Sequence, residues 1–275
     1  MLHIRNKYLL KNILDYVERK QCLSLIKYNK ALQKKLDISI KDYKEYNQIE
    51  IELKVGGDNI YGKFFNYEKI NKSYFHIYLD NKKIRRNYLT SKDNLSKIKV
   101  IIDCEIKSFK SLFENCNCIS SINFIKFNRK DIIDMSNMFK GCKNLIYINF
   151  ANFKSEKVTN MEYMFCNCSS LKEINLTNFN TSNVINMRSM FSCCSSLKEI
   201  NLSNFDTSQV TDMIFMFNNC SSLINLDISK FDIKDNINID YMFSGCLDTL
   251  KKKIKSQNKK IKANAFEDDI SEDFI

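Results

Sequence analysis

A phenylalanine recurs every 26 residues through the second half of the chain, at Phe113, Phe139, Phe165, Phe191, Phe217 and Phe243. A cysteine follows three residues after each, at Cys116, Cys142, Cys168, Cys194, Cys220 and Cys246. A period between 20 and 50 residues marks a unit that buries its apolar face only by stacking on its neighbours. The chain is therefore expected to form a repeat solenoid. Long exposed faces of that kind hold other macromolecules, so a binding scaffold is the leading functional class and an enzyme is not expected.

The copy from Met187 to Val210 carries two periodicities. Met187, Met190 and Phe191 fall at i, i+3 and i+4, which predicts one apolar face on a short helix. Leu197, Ile200, Leu202 and Phe205 follow, and the alternation over Ile200 to Leu202 predicts a short strand with one face inward. The linking segment Asn204 to Ser208 has Asx and Ser/Thr side chains suited to a turn. Stacked copies would give an α/β fold, a parallel sheet with one strand per copy at a spacing of about 4.8 Å.

These residues resemble the leucine-rich repeats, and within them the BspA-like class built on M-x-x-M-F-x-x-C-x-x-L-x-x-I-x-L-x-x-F-x-T-S-x-V-T. The likeness spans about residues 109 to 246. It implies a curved solenoid, in a family whose members are mostly surface or interaction proteins. Secreted members carry export signals, whereas Met1 to Tyr16 lacks the apolar block and cleavage site of a signal peptide. A cytoplasmic chain with reduced thiols and no membrane span is the expectation, with the nucleus as an alternative compartment. A surface adhesin exported by an unrecognised route is the alternative role. The array should fray at its ends: Ile98, Ile101 and Ile106 keep the phase of a partial unit, and Thr249, Lys252 and Ile254 stand where the leucine, isoleucine and strand residue should be.

If the inward strand residues are Leu197, Ile200, Leu202 and Phe205, the partner-binding face holds Lys198, Glu199, Asn201 and Ser203. Neighbouring copies add Lys172, Glu173, Asn175 and Thr177, then Ile224, Asn225 and Asp227, and towards the N-terminus Ile146, Tyr147 and Asn149. Outward aromatic and aliphatic side chains such as Tyr147, Ile146 and Ile224 are better anchors for a partner than solvated charges. The column Asn123, Asn149, Asn175, Asn201 and Asp227 is expected to hydrogen-bond along itself, with ligand reading as the alternative.

The remaining chain divides into residues 1–36, a helical module; 37–96, a strand-rich connector; 97–250, the repeats; and 251–275, a charged tail. Leu10, Ile13, Leu14 and Val17 form an apolar stripe on the first helix. Their spacing, continued by Lys20, Leu23, Leu25, Lys30 and Leu36, is similar to an F-box, without that motif's proline and tryptophan. The likeness implies docking to a ubiquitin-ligase adaptor and an alternative role as a substrate-recruiting subunit. In the connector, Gln48–Val55, Tyr74–Asp80 and Lys97–Ile102 have strand-like patterns.

The net charge of +11 is unevenly placed. Residues 1–108 hold 23 basic and 13 acidic groups, while residues 109–250 hold 13 and 14. A repeat face that wrapped nucleic acid would need lysine and arginine along it, so a protein partner is favoured. The cysteine ladder reads as small buried hydrophobes, since C-x-C and C-C pairs lack the paired C-x-x-C spacing of structural zinc. No cofactor or metal is expected. His3 and His76 stand apart from any nucleophile motif.

Overall fold

The computed structural model describes residues 29–36, 45, 47–56, 60–67, 72–93, 97–103, 106–151 and 153–268. The chain divides into two units, Met1–Gln48 and Ile49–Ile275. In the first, α1 (Lys30–Leu36) lies within the expected helical stretch. Leu10, Ile13, Leu14 and Val17, with the adaptor docking assigned to them, lie outside the described residues.

The second unit opens with a mixed sheet. Its strands are β1 (Ile49–Val55), β3 (Phe75–Leu79), β4 (Lys82–Ile84), β6 (Ile98–Ile102), β7 (Ile119–Lys126) and β8 (Tyr147–Asn149), while β2 (Gly62–Lys63) and β5 (Tyr88–Leu89) pair separately. The sheet order is β4-β3-β6-β1-β7-β8, antiparallel up to β7 and parallel between β7 and β8. Alternation explains the strands: Ile49, Ile51 and Leu53 of β1 and Ile98, Val100 and Ile102 of β6 are buried, while Glu50 and Glu52 pair across the strands with Lys99 and Lys97. Asp80 and Asn81, both at positive φ, turn the chain from β3 into β4. Ile98 and Ile101 thus belong to an antiparallel strand rather than to a partial repeat.

From Ser108 the 26-residue copies stack. Parallel bridges link Ser108, Asp134, Asn160, Asn186, Asp212 and Asn238 in succession. The phenylalanines form a column of parallel rings: Phe113, Phe139, Phe165, Phe191, Phe217 and Phe243 are 5.3 to 5.7 Å apart, at interplanar angles of 5 to 10°. Phe65 meets Phe113 edge-on at 5.3 Å at one end, and Phe266 stacks on Phe243 at 5.4 Å at the other.

The Met-x-x-Met-Phe segment is not the short helix expected. In the copy at Met187 the N–H groups of Met190, Ser192 and Cys194 donate to carbonyls three residues back. Those of Met187, Ser189, Phe191 and Cys193 donate instead to Asp212, Ile214, Met216 and Asn218 of the next copy. Two residues per copy, four apart, hold left-handed backbone: Ser189 (φ 51°) and Cys193 (φ 58°) here, Tyr163 and Asn167 one copy earlier, Phe215 and Asn219 one later. A helix requires every N–H to bond four residues back with negative φ throughout, and both conditions fail.

The one-strand-per-copy parallel sheet is also only partly formed. Beyond β8 the next pair is β9 (Glu199–Ile200) with β10 (Asn225–Leu226), in a separate two-stranded sheet. No backbone hydrogen bond among the described residues joins residues 171–176 to either neighbouring copy on this side. Polar side chains make the connection instead, Asn204 Nδ2 reaching the carbonyls of Leu176 at 3.1 Å and Phe179 at 2.7 Å.

The stretch expected as a charged tail is folded as far as Asp268. α2 (Asp248–Gln257) buries Leu250 and Ile254, and a following turn gives the N–H groups of Tyr241 and Phe243 the carbonyls of Asn264 and Ala265, at 2.9 and 2.8 Å. Lys251 Nζ donates to Asp268 at 2.9 Å. This segment supplies the last copy with the backbone partners that a next copy would provide.

Candidate functional site on the strand side

Position along each copy decides which side chains face water. Leu197, Ile200, Leu202 and Phe205 are buried, and Lys198, Glu199, Asn201 and Ser203 between them project outward, as do Lys172, Glu173, Asn175 and Thr177. Ile224, Asn225 and Asp227 are exposed one copy on, and Ile146 and Tyr147 one copy back, with Asn149 half-buried. Tyr147 and Ile224 are 45% and 51% exposed, large values for such side chains.

Tyr147, Glu173, Asn175, Glu199, Asn201, Ser203, Asn225 and Asp227 converge on one open depression of about 680 Å³. Ile174, Ile200, Leu202 and Leu226 underlie it, and Lys253 of α2 closes one end. Lys253 Nζ donates to Asn225 Oδ1 at 3.4 Å. Sequence reasoning missed Lys253 by reading its segment as a tail; the i, i+4 spacing of Leu250 and Ile254 carried the signal. Lys172 and Lys198 flank the depression rather than line it. None of Lys172, Glu173, Lys198 and Glu199 has an ion-pair partner among the described residues.

The asparagine column does not run as a ladder. One rung exists, Asn149 Nδ2 to Asn123 Oδ1 at 2.8 Å. Elsewhere the side-chain oxygen turns back on its own copy: Asn175 Oδ1 accepts from Thr177 N at 3.0 Å, Asn201 Oδ1 from Ser203 N at 3.0 Å and Asp227 Oδ1 from Ser229 N at 2.9 Å. An Asx side chain reaches the N–H two residues on more easily than a partner in the next copy. The Ser229 bonds hold the Asp227 carboxyl below its usual range.

The cysteine column is buried and also hydrogen-bonds. Cys168, Cys194, Cys220 and Cys246 each donate Sγ–H to the phenylalanine carbonyl of the preceding copy, at 3.1 to 3.2 Å. Burial pushes the Cys142 thiol up to about 12 and that of Cys246 up to about 11. All nine described cysteines are free thiols, and no group of three or more His, Cys, Asp or Glu among the described residues could hold a metal. His76 Nε2 contacts Asp103, and Lys83 Nζ lies 3.2 Å from His76 Nδ1. Among the described residues no helix is long and apolar enough to cross a membrane.

No curated protein matches the chain. A solved structure, a leucine-rich repeat protein from Bacteroides ovatus, is similar at 15% identity over 56% of this chain, with a TM-score of 0.26. The similarity spans 47% of that protein, about half its length. One family model matches residues 107–200 and again residues 146–257, beginning where the stacked copies begin and ending at the last residue of α2. More than half of the chain falls within those matches, and the chain belongs to the family described as Mycoplasma protein of unknown function, DUF285.

Proposed function

We propose that the chain is a non-catalytic protein-binding module, a solenoid of leucine-rich-repeat type that recognises a protein partner on its strand side and works in the cytoplasm. The observation that carries this reading is the convergence of eight outward residues from four successive copies on one depression, with exposed Tyr147 at its rim. Side chains drawn from successive copies form a surface longer than a small ligand needs and suited to an extended or convex protein. Glu173 and Glu199, which have no ion-pair partner among the described residues, can accept hydrogen bonds from a partner, and the rim aromatic supplies contact area at low entropic cost. The near-neutral charge of the repeats disfavours nucleic acid as the ligand.

The test compares cross-linked partners recovered from the native cell by the full chain, by Tyr147→Ala with Glu199→Lys, and by the exposed-site control Lys157→Ala. One protein lost at least tenfold by the double variant and kept by the control, with unchanged melting temperatures, is the expected result. The same partners on all three baits would overturn the assignment of this face.

A further inference from the structure

Three described cysteines lie outside the 26-residue column: Cys118, Cys166 and Cys193. Cys118 is buried where Sγ donates to the Lys63 carbonyl at 3.2 Å. The other two occupy the turn side of neighbouring copies. The N–H of Asn167 donates to the Ser192 carbonyl at 2.8 Å and that of Phe165 to the Met190 carbonyl at 2.9 Å. Residues 166–167 and 192–193 therefore run side by side, with Cys166 opposite Ser192 and Cys193 one residue further along. Segments about 4.8 Å apart and residues about 3.8 Å apart put such a diagonal pair at about 6 Å between Cα atoms, inside the roughly 4.4 to 6.8 Å that a disulfide spans. Ser192, which lies opposite Cys166, places its Oγ 3.7 Å from Cys193 Sγ. Cys193 is half-buried, whereas Cys166 is 6% exposed.

We infer that Cys166 and Cys193 are a redox pair, oxidised by a hydroperoxide to a disulfide that staples the third and fourth copies. The Cys193 thiolate attacks a peroxide oxygen, breaking the O–O bond and leaving a sulfenic acid on Cys193 and hydroxide in solvent. The Cys166 sulfur then attacks the sulfenic sulfur. The S–S bond forms, the S–O bond breaks, and the leaving hydroxide takes the Cys166 proton and departs as water. Two electrons pass from the thiols to the peroxide, and a dithiol reductant reverses the step. The more accessible thiol is the attacking one, and the buried one has only to resolve. Burial pushes the Cys166 thiol up to about 11, so it stays protonated while Cys193 meets the peroxide, and its proton leaves with the departing hydroxide.

The location gives the bond a consequence. On the strand side these same copies share no backbone hydrogen bond between residues 171–176 and the next copy among the described residues, and the disulfide would add a covalent tie on the opposite, already hydrogen-bonded side.

The experiment treats the reduced full chain with one equivalent of hydrogen peroxide, then maps peptides without reduction and follows thermal unfolding. The expected map shows a Cys166–Cys193 linkage, with Tm raised by about 5 to 10 °C from closing this loop. Dithiothreitol should reverse the rise, and neither Cys166→Ser nor Cys193→Ser should show it. Oxidation of Cys193 to a sulfinic acid without linkage, or both thiols remaining alkylatable after peroxide, would overturn the proposal. The map of the unsubstituted chain decides even if a serine variant folds poorly.

Discussion

Each copy places two residues in left-handed backbone, and the side chain there decides how much strain the copy carries. Gly141 (φ 71°) and Gly245 (φ 64°) meet the demand without a Cβ. A Cβ on Gly141 would lie 2.1 Å from Asn115 Oδ1, and one on Gly245 would lie 2.0 Å from Asn219 Oδ1. Gly141→Ala is expected to destabilise the chain by about 1 to 3 kcal/mol in chemical denaturation, from the unfavourable φ and the displaced asparagine. Gly56→Ala is the control: its nearest neighbour would be 3.5 Å away and its φ is ordinary, so a change within about 0.5 kcal/mol is expected. Elsewhere the left-handed positions hold Tyr163, Phe215 and Tyr241, types for which such backbone is uncommon. Contacts offset the strain: Phe215 stacks on Tyr241 at 5.3 Å, Arg188 lies over Phe215 at 6.0 Å and its Nε donates to the Tyr163 hydroxyl at 3.3 Å. No glycine announces these positions, so the turns could not be read from the sequence.

At the scale of the repeat unit, the inward set was legible and the backbone was not. Met187, Met190, Phe191, Cys194 and Leu197 are all fully buried, as their spacing requires. The i, i+3, i+4 spacing of the first three is shared by a helix and by this run of turns, because both return every third or fourth side chain to the core. Only the destination of the N–H groups separates them, and that depends on a neighbour 25 residues away. Phe191→Ala should lower stability by about 3 to 5 kcal/mol, since it removes a ring held between Phe165 and Phe217. Lys198→Ala should change it by less than about 0.5 kcal/mol. A silent Phe191→Ala in urea unfolding would contradict the packing. The outward face was equally legible, because the buried Leu197, Ile200, Leu202 and Phe205 keep their spacing even where the strand shortens to Glu199–Ile200. What alternation could not reveal was the open junction at residues 171–176, set by how neighbouring copies meet.

Across the whole molecule, the stack needs different solutions at its two ends and a protonated column between them. Phe65 covers the first ring of the stack, and Phe266 the last, each drawn from outside the repeats. Compositional bias hid the second: a segment with lysines at 251, 252, 253, 255, 259, 260 and 262 reads as solvated, yet Leu250 and Ile254 fix one helical face inward. Between the ends, the thiols make stability depend on alkaline pH. Desolvation raises each folded-state value, to about 12 for Cys142 and well above the ordinary 9.0 for Cys168, Cys194 and Cys220, where neighbouring sulfurs add to it. The unfolded chain therefore releases these protons first, near pH 9, while the folded chain retains them. Their contribution is fully present below that pH and is lost as pH rises toward the folded values. Each such thiol steepens the decline by up to about 1.4 kcal/mol per pH unit, so unfolding free energy between pH 9 and 11 should fall with the combined slope of several thiols. Lysines and tyrosines titrate in the same window, and the comparison that isolates the column is Cys220→Ala. Removing one thiol should make the slope shallower by about one proton's worth, whatever the substitution does to stability at neutral pH. An unchanged slope would mean that Cys220 ionises as readily in the folded chain as in the unfolded one, which a fully buried thiol donating to the Phe191 carbonyl does not allow.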